Sequence, residues 1–401
     1  MTVLQSDLHQ ARHAAIDESG VAYRFVSFQP RNPAFWVYLV ALIIGFMHVF
    51  TLFQPSAANY GGPLLGGFVA FVFYTTGWVL YLHSLDRFTP MSPKVLAIGF
   101  LWGGAVATSW LAVTANGAVD SLTVKSFGPA WAADWGAGVS APFDEEIAKA
   151  IGFILLLGVA PLLIRSALDA FIVGAFIGLG FEVVEDVLYV VQAAGEGFGT
   201  NQLSTSVSVT LLRVLTGAVS HAMFTAFVCC GLMWIVGRDP RGRHVVKGML
   251  LILFAVVMHG LWDTAGVIGL ELLGDASTLW LLLLLLIGVA AVLWLGHDAA
   301  QSERSWARDI LAPEVEAGAI SEAELQAISG DYKHRRAYVK SIHGRSQRRR
   351  TRHILAAGRD LCTAIGRADG EETPEVKTLR ADVARLRDKG EKPAKSTPSR
   401  S

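Results

Sequence analysis

The chain reads as an all-α, polytopic membrane protein: a bundle of about eight transmembrane helices with a cytoplasmic C-terminal tail, part helical and part disordered. Three observations predict this. Charged residues are only 17% of the chain and hydrophobic residues 52%, a balance that does not suit a soluble domain. The apolar residues gather into runs of about 20, the length that crosses a bilayer as a helix. No alternation of apolar and polar residues at period 2 runs through them, which argues against a membrane β-barrel.

The first predicted span, about Phe35 to Phe53, follows a long polar lead carrying Arg12, Arg24 and Arg31. That lead is not built like a signal peptide, so the run is expected to stay as a transmembrane helix. The second and third spans are predicted at about Pro63 to Leu82 and Val95 to Thr114. A Gly- and Trp-containing stretch with Trp131 and Trp135 comes next and suits a re-entrant or interfacial loop. The fourth to eighth spans are predicted at about Ala141 to Ile164, Ala167 to Val191, Ser206 to Val236, Val245 to Gly269 and Thr278 to Leu295.

Positive charge falls before the first span, at Arg87 and Lys94, at Arg165, at Arg238, Arg241, Arg243 and Lys247, and in the tail. The alternate loops have almost none, with Lys125 the exception. By the positive-inside rule both termini are cytoplasmic in a cell membrane. The chain thus divides into a cytoplasmic N-terminal segment (1–34), a transmembrane domain (35–297, with the chemistry in 141–269) and a basic tail (298–401). Cys229, Cys230 and Cys362 form no metal-finger or disulfide spacing, and the adjacent pair reads as packing.

In the tail, Ser321 followed by Glu324 is a capping box that opens a short helix. Pro374 to Lys389 has helical composition, and Lys392 to Ser401 reads as disordered. Tyr332 to Arg352 is densely basic and acid-free, which suits contact with anionic lipid headgroups. Its aromatics are sparse, which argues against nucleic acid.

The informative residues are ionisable groups inside the apolar runs, because a charge at membrane depth costs several kcal/mol unless it is paired, hydrated or bound to metal. Glu145 and Glu146 open the fourth span, with Lys149 placed four and three residues on, so that one helix face carries all three. Acids at a helix start also complement its dipole, which is the plain structural explanation. Glu182, Glu185 and Asp186 lie in the fifth span, and a close carboxylate pair shares a proton or binds a cation unless an arginine such as Arg213 neutralises it. His221 stands in the sixth span. In the seventh, His259 and Asp263 are one turn apart, so that both can bind one ion or Asp263 can orient the histidine. Counted from the extracytoplasmic ends of the spans, Glu145, Glu146, Glu182, Glu185, His221, His259 and Asp263 are all reachable from the outer half of the bilayer.

Four segments carry a resemblance: Glu145-Glu146 with Lys149, Phe181 with Glu185, Ser220-His221 with Phe224-Thr225, and His259 with Asp263. In this order on consecutive helices they resemble the PrsW family of intramembrane proteases, over about Asp144 to Asp263. The related membrane CAAX-type endopeptidases share the paired glutamates but usually carry Arg where Lys149 stands. The resemblance implies a peptidase that cuts a membrane-anchored protein, in some members an anti-sigma factor cut on its extracytoplasmic side. The catalytic group is then Glu145 or Glu146 as the base that activates water, with Lys149, Glu182 and His221. His221 and His259 would hold a divalent ion, zinc above all, with Glu185 or Glu182 as third ligand and Asp263 beside them. A metal-free glutamate mechanism is the rival chemistry. The rival functions are a cation- or proton-coupled transporter, for which the expected internal repeat is missing, and a non-catalytic membrane scaffold.

Overall fold

The computed structural model describes residues 3–196 and 200–388. Among them every regular element is helical, as the sequence predicts. The chain divides into two compact units. One takes in Phe25–Leu85 and Met91–Ala299; the other takes in Met1–Arg24, Asp86–Pro90 and Ala300–Ser401 as far as they are described. Helix α1 (Val3–Ser19) belongs to the second unit.

The first unit is the membrane bundle. It holds α2 (Pro33–Asn59), α3 (Gly61–Leu85), the long α4 (Pro93–Phe127), α5 (Ala137–Val159) and α6 (Ala167–Gly195). It continues with α7 (Gln202–Thr216), α8 (His221–Val236), α9 (Val245–Asp263), α10 (Ala265–Leu273) and α11 (Thr278–Ala299). Seven helical stretches of the described chain are long and apolar enough to cross a membrane. The predicted fourth span, α5, is a helix of 23 residues but is not among the seven, because Asp144, Glu145, Glu146 and Lys149 fall inside it.

Helix α6 is the most enclosed of the seven and forms the axis of the bundle. Its glycines allow this: a Cβ on Gly180 would lie 1.9 Å from the Phe100 carbonyl oxygen of α4, and one on Gly178 would lie 2.2 Å from the His221 carbonyl oxygen. Such approach is how membrane helices gain contact where lipid gives them no hydrophobic drive to associate. Helix α6 opens on a capping box between Ser166 and Asp169.

Three local expectations are corrected. The stretch with Trp131 and Trp135 is not a loop. A single turn at Gly128, with φ +87, separates α4 from Pro129–Trp131 and a π-helical turn, Ala132–Gly136, that runs directly into α5. The sixth span is not continuous: α7 ends at Thr216, a 3₁₀ turn covers Gly217–Val219, and α8 begins at His221. The seventh span breaks at Thr264, between α9 and α10. Helix α4 is itself π-helical over Trp102–Ala112, where Gly103 and Gly104 meet the backbone and side chains of α6.

The second unit has its own core, in which Ile16 of α1 meets Trp306, Ile310, Leu325, Ile354 and Leu361. Its other helices are α12 (Gln301–Glu316), α13 (Glu322–Ser329), α14 (Tyr332–Ser341), α15 (Arg345–Arg367) and α16 (Pro374–Asp388). The capping box at Ser321 and Glu324 is formed as predicted. Glu314 gathers Arg12 at 2.9 Å and Arg380 at 2.7 Å, which ties α1 and α16 to α12. The tail is therefore a folded helical unit over its described length. Lys392 to Ser401, expected to be disordered, lie outside the described residues.

Candidate active site

The site is assembled from α5, α6, α8 and α9. Helix α5 presents Glu145, Glu146 and Lys149 on one buried face, as the i, i+3 and i, i+4 spacing requires. Lys149 is wholly buried: its Nζ lies 2.8 Å from Glu146 Oε1, 3.3 Å from Glu145 Oε2 and 2.9 Å from His221 Nδ1. The same ammonium sits 3.7 Å from the centroid of the Phe181 ring, a cation–π contact from α6.

The break ahead of α8 brings His221 to the first position of that helix. Beside it Ser220 donates to Glu182 Oε1 at 2.7 Å, and Tyr74 donates to the same oxygen at 3.5 Å. Gly217 allows this arrangement, because a Cβ there would lie 2.5 Å from Glu182 Oε1. Glu182 thus meets the helix break, whereas Glu185, one turn on, meets His221 itself, with Oε2 2.9 Å from Nε2. Arg213 of α7 donates to Glu185 at 2.8 Å and pairs with Asp186. The arginine neutralisation that the sequence raised as an alternative is therefore realised for those two acids.

Helix α9 brings in His259, buried, with its ring stacked on Phe224 at 4.6 Å. Carboxylate oxygens surround this ring: Glu146 Oε1 is 3.3 Å from Nδ1, while Glu145 Oε2 and Asp263 Oδ2 are each 3.6 Å from Nε2. Neither ring nitrogen makes a well-aligned hydrogen bond. Glu145 Oε2 also lies 3.6 Å from His221 Nδ1.

Glu145, His221 and His259 each offer a ligand atom, and the three atoms lie within 4.8 Å of one another. Two imidazoles and a carboxylate, all buried, form a donor set that suits a divalent metal, and the orphaned nitrogens of His259 are what such an ion would satisfy. Of the ligands named from the sequence, both histidines stand in this group. Glu185 and Asp263 each lie beside one of the histidines, and Glu145 completes the trio.

A polar cleft of about 460 Å³ reaches the site. Glu145, Glu185, His221 and Asp263 line it, joined by Asn116, Arg213 and Trp262. Glu146 does not; it is held by Lys149 and by Thr225, which donates to its Oε2 at 3.1 Å. Sequence reasoning missed Asn116, whose Nδ2 donates to Glu145 Oε1 at 3.2 Å. Its only signal was a lone amide just past the predicted end of the third span.

Taken together, the fold and the site define a polytopic membrane protein with a buried, water-reachable centre of carboxylates and histidines, the equipment of a hydrolase working inside the bilayer. The family model described as PrsW family intramembrane metalloprotease matches residues 91–295, just over half of the chain, and the chain belongs to that family. It is accordingly an intramembrane peptide hydrolase. The match is wider than the motif region, because it also takes in α4 and most of α11. No curated protein and no solved structure matches the chain.

Proposed function

We propose that the chain is an endopeptidase that cuts a membrane-anchored protein near the extracytoplasmic face, with Glu145 acting on the attacking water. The observation that carries this is the position of Glu145: it lines the cleft and stands 3.6 Å from a ring nitrogen of each histidine. Its two oxygens have different surroundings. Oε2 faces Lys149 and the histidines, and Oε1 faces Asn116. His221, His259 and Glu145 Oε2 would hold the metal, and an imidazole and carboxylate donor set favours zinc. When bound, such an ion polarises the scissile carbonyl and makes water more acidic.

The chain's own residues do the rest. Glu145 Oε1 takes a proton from the water as its oxygen adds to the peptide carbonyl, and passes that proton to the departing amine as the C–N bond breaks. Lys149, wholly buried between Glu145, Glu146 and His221, is a positioning residue that balances the two carboxylates and holds Glu145 against the cleft. Glu185 at His221 Nε2 and Glu146 at His259 Nδ1 orient the two rings from the nitrogens turned away from Glu145 Oε2, as carboxylates commonly do for ligating histidines. Asp263 stands with Glu145 on the Nε2 side of His259. Glu182 and Ser220 are positioning residues that fix the helix break under His221. Cleavage of an anti-sigma factor fits this chemistry, and so does any single-pass substrate whose strand enters the cleft. The charge of the loops supports both termini lying on the cytoplasmic face.

The test is cleavage of a membrane-anchored substrate and metal content of the purified protein, for the wild type, Glu145→Gln and His259→Ala. The wild type should carry about one zinc per chain. His259→Ala should lose the metal and the activity together, and Glu145→Gln should lose at least a hundredfold in rate. Full cleavage by Glu145→Gln would end its role. Cleavage by rigorously metal-free wild type would end the metal's part in the reaction.

A further inference from the structure

The second unit contains a cavity of about 670 Å³ that the peptidase chemistry does not use. Its walls come from α13, α14, α15 and the Asp86–Pro90 segment. Phe88, Ile328, Val339 and Leu355 are buried and give it an apolar floor. Cations converge above that floor: Arg335, Arg336 and Lys340 from α14, Arg348, Arg352 and Arg359 from α15, and Arg87 from the segment between the two parts of the bundle. Among the described residues no acid lines the cavity.

Like charges around one concavity repel one another, and a bound anion removes that repulsion. Among the described residues Arg335, Arg336, Lys340 and Arg352 have no ion-pair partner, whereas Arg359 pairs with its neighbour Asp360. Burial and the guanidinium groups of Arg335, Arg359 and Arg304 pull Arg87 down to about 10. Burial and Arg359 likewise lower Arg335. At the rim the Tyr332 ring is 61% exposed, with the guanidinium groups of Arg335 and Arg336 at 6.0 and 5.9 Å from its centroid.

We propose that this cavity binds a small soluble polyphosphate of the nucleoside di- or triphosphate class. Guanidinium groups match phosphate oxygens in geometry and charge. A phospholipid headgroup with one phosphate diester brings about one charge and would leave most of the charge of Arg335, Arg336, Lys340 and Arg352 uncompensated. A polyphosphate brings three or four, and an apolar floor with an aromatic rim gives a base and sugar somewhere to lie. The volume falls in the range of small-molecule sites. This site is independent of the peptidase reading, and its ligand would report a metabolic state to the cytoplasmic unit.

The experiment uses full-length protein in phosphatidylcholine nanodiscs, with ATP and inorganic tripolyphosphate as probes and thermal denaturation and calorimetric titration as readouts. ATP should bind the wild type and raise its denaturation temperature. The double variant Arg335→Gln/Arg352→Gln should bind ATP at least tenfold more weakly. Without ligand it should denature no lower than the wild type, since it loses repulsion and no ion pair. If the double variant fails to fold, Lys340→Gln at the rim decides, with an expected loss of about threefold. Wild-type protein that binds neither probe, or variants that bind as tightly as it does, would overturn the proposal. ATP bound no better than tripolyphosphate would remove the nucleoside. Protection seen only in nanodiscs containing phosphatidylglycerol would assign the cations to lipid instead.

Discussion

Lys149 concentrates the physics of the site at the scale of one residue. Its ammonium is fully buried and touches two carboxylates and an imidazole, so it is tolerated only because they are there. Replacing it by Met keeps the volume and leaves Glu145 and Glu146 facing each other without a cation. Lys149→Met should therefore destabilise the protein by about 3–5 kcal/mol, the usual penalty for breaking a buried pair from one side. It should abolish cleavage as well. Denaturation at the wild-type temperature in detergent would count against the ion-pair account. Most of this could be read in the sequence, since helical spacing alone puts Lys149 over both glutamates. The contact between Lys149 and His221 could not, because it joins residues 72 positions apart on helices whose packing the spacing does not encode.

At the scale of elements, the break ahead of His221 and the glycines of α6 belong together. Helix α8 starts at His221 and lies so close to α6 that a Cβ on Gly178 would sit 2.2 Å from the His221 carbonyl oxygen. Gly178→Leu must push the start of α8 away and carry His221 with it. A displacement of that order costs about a hundredfold in a catalytic rate, while overpacking costs about 1–3 kcal/mol in stability. Membrane insertion should survive. A variant that cleaves at the wild-type rate would mean that α6 does not set the position of His221. The apolar runs made all of these helices legible. The break was not, because Gly217–Val219 contains no proline and apolar runs lie on both sides of it; the packing of Glu182 against Gly217 marks it instead.

For the whole molecule, the charge pattern of the loops predicts which side of the membrane each loop faces. Cys229, Cys230 and Cys362 are buried, so engineered cysteines can be labelled against little background. Asn201→Cys, just ahead of α7, should react with an impermeant maleimide in intact cells. Arg243→Cys, between α8 and α9, should react only after lysis. The reverse pattern would invert the membrane orientation and move the proposed cleavage to the cytoplasmic side. By itself the sequence determined the helical membrane class, the apolar runs, the capping box at Ser321 and the residues with chemistry to offer, because each rests on local composition or on spacing within one helix. Tertiary structure alone decided that Glu145 joins His221 and His259, that Arg213 answers Glu185 and Asp186, and that the tail cations line one cavity. Those outcomes depend on how close two helices can come and which faces they turn to each other. Glycine contacts and helix breaks set both, and neither leaves a periodic trace in the chain.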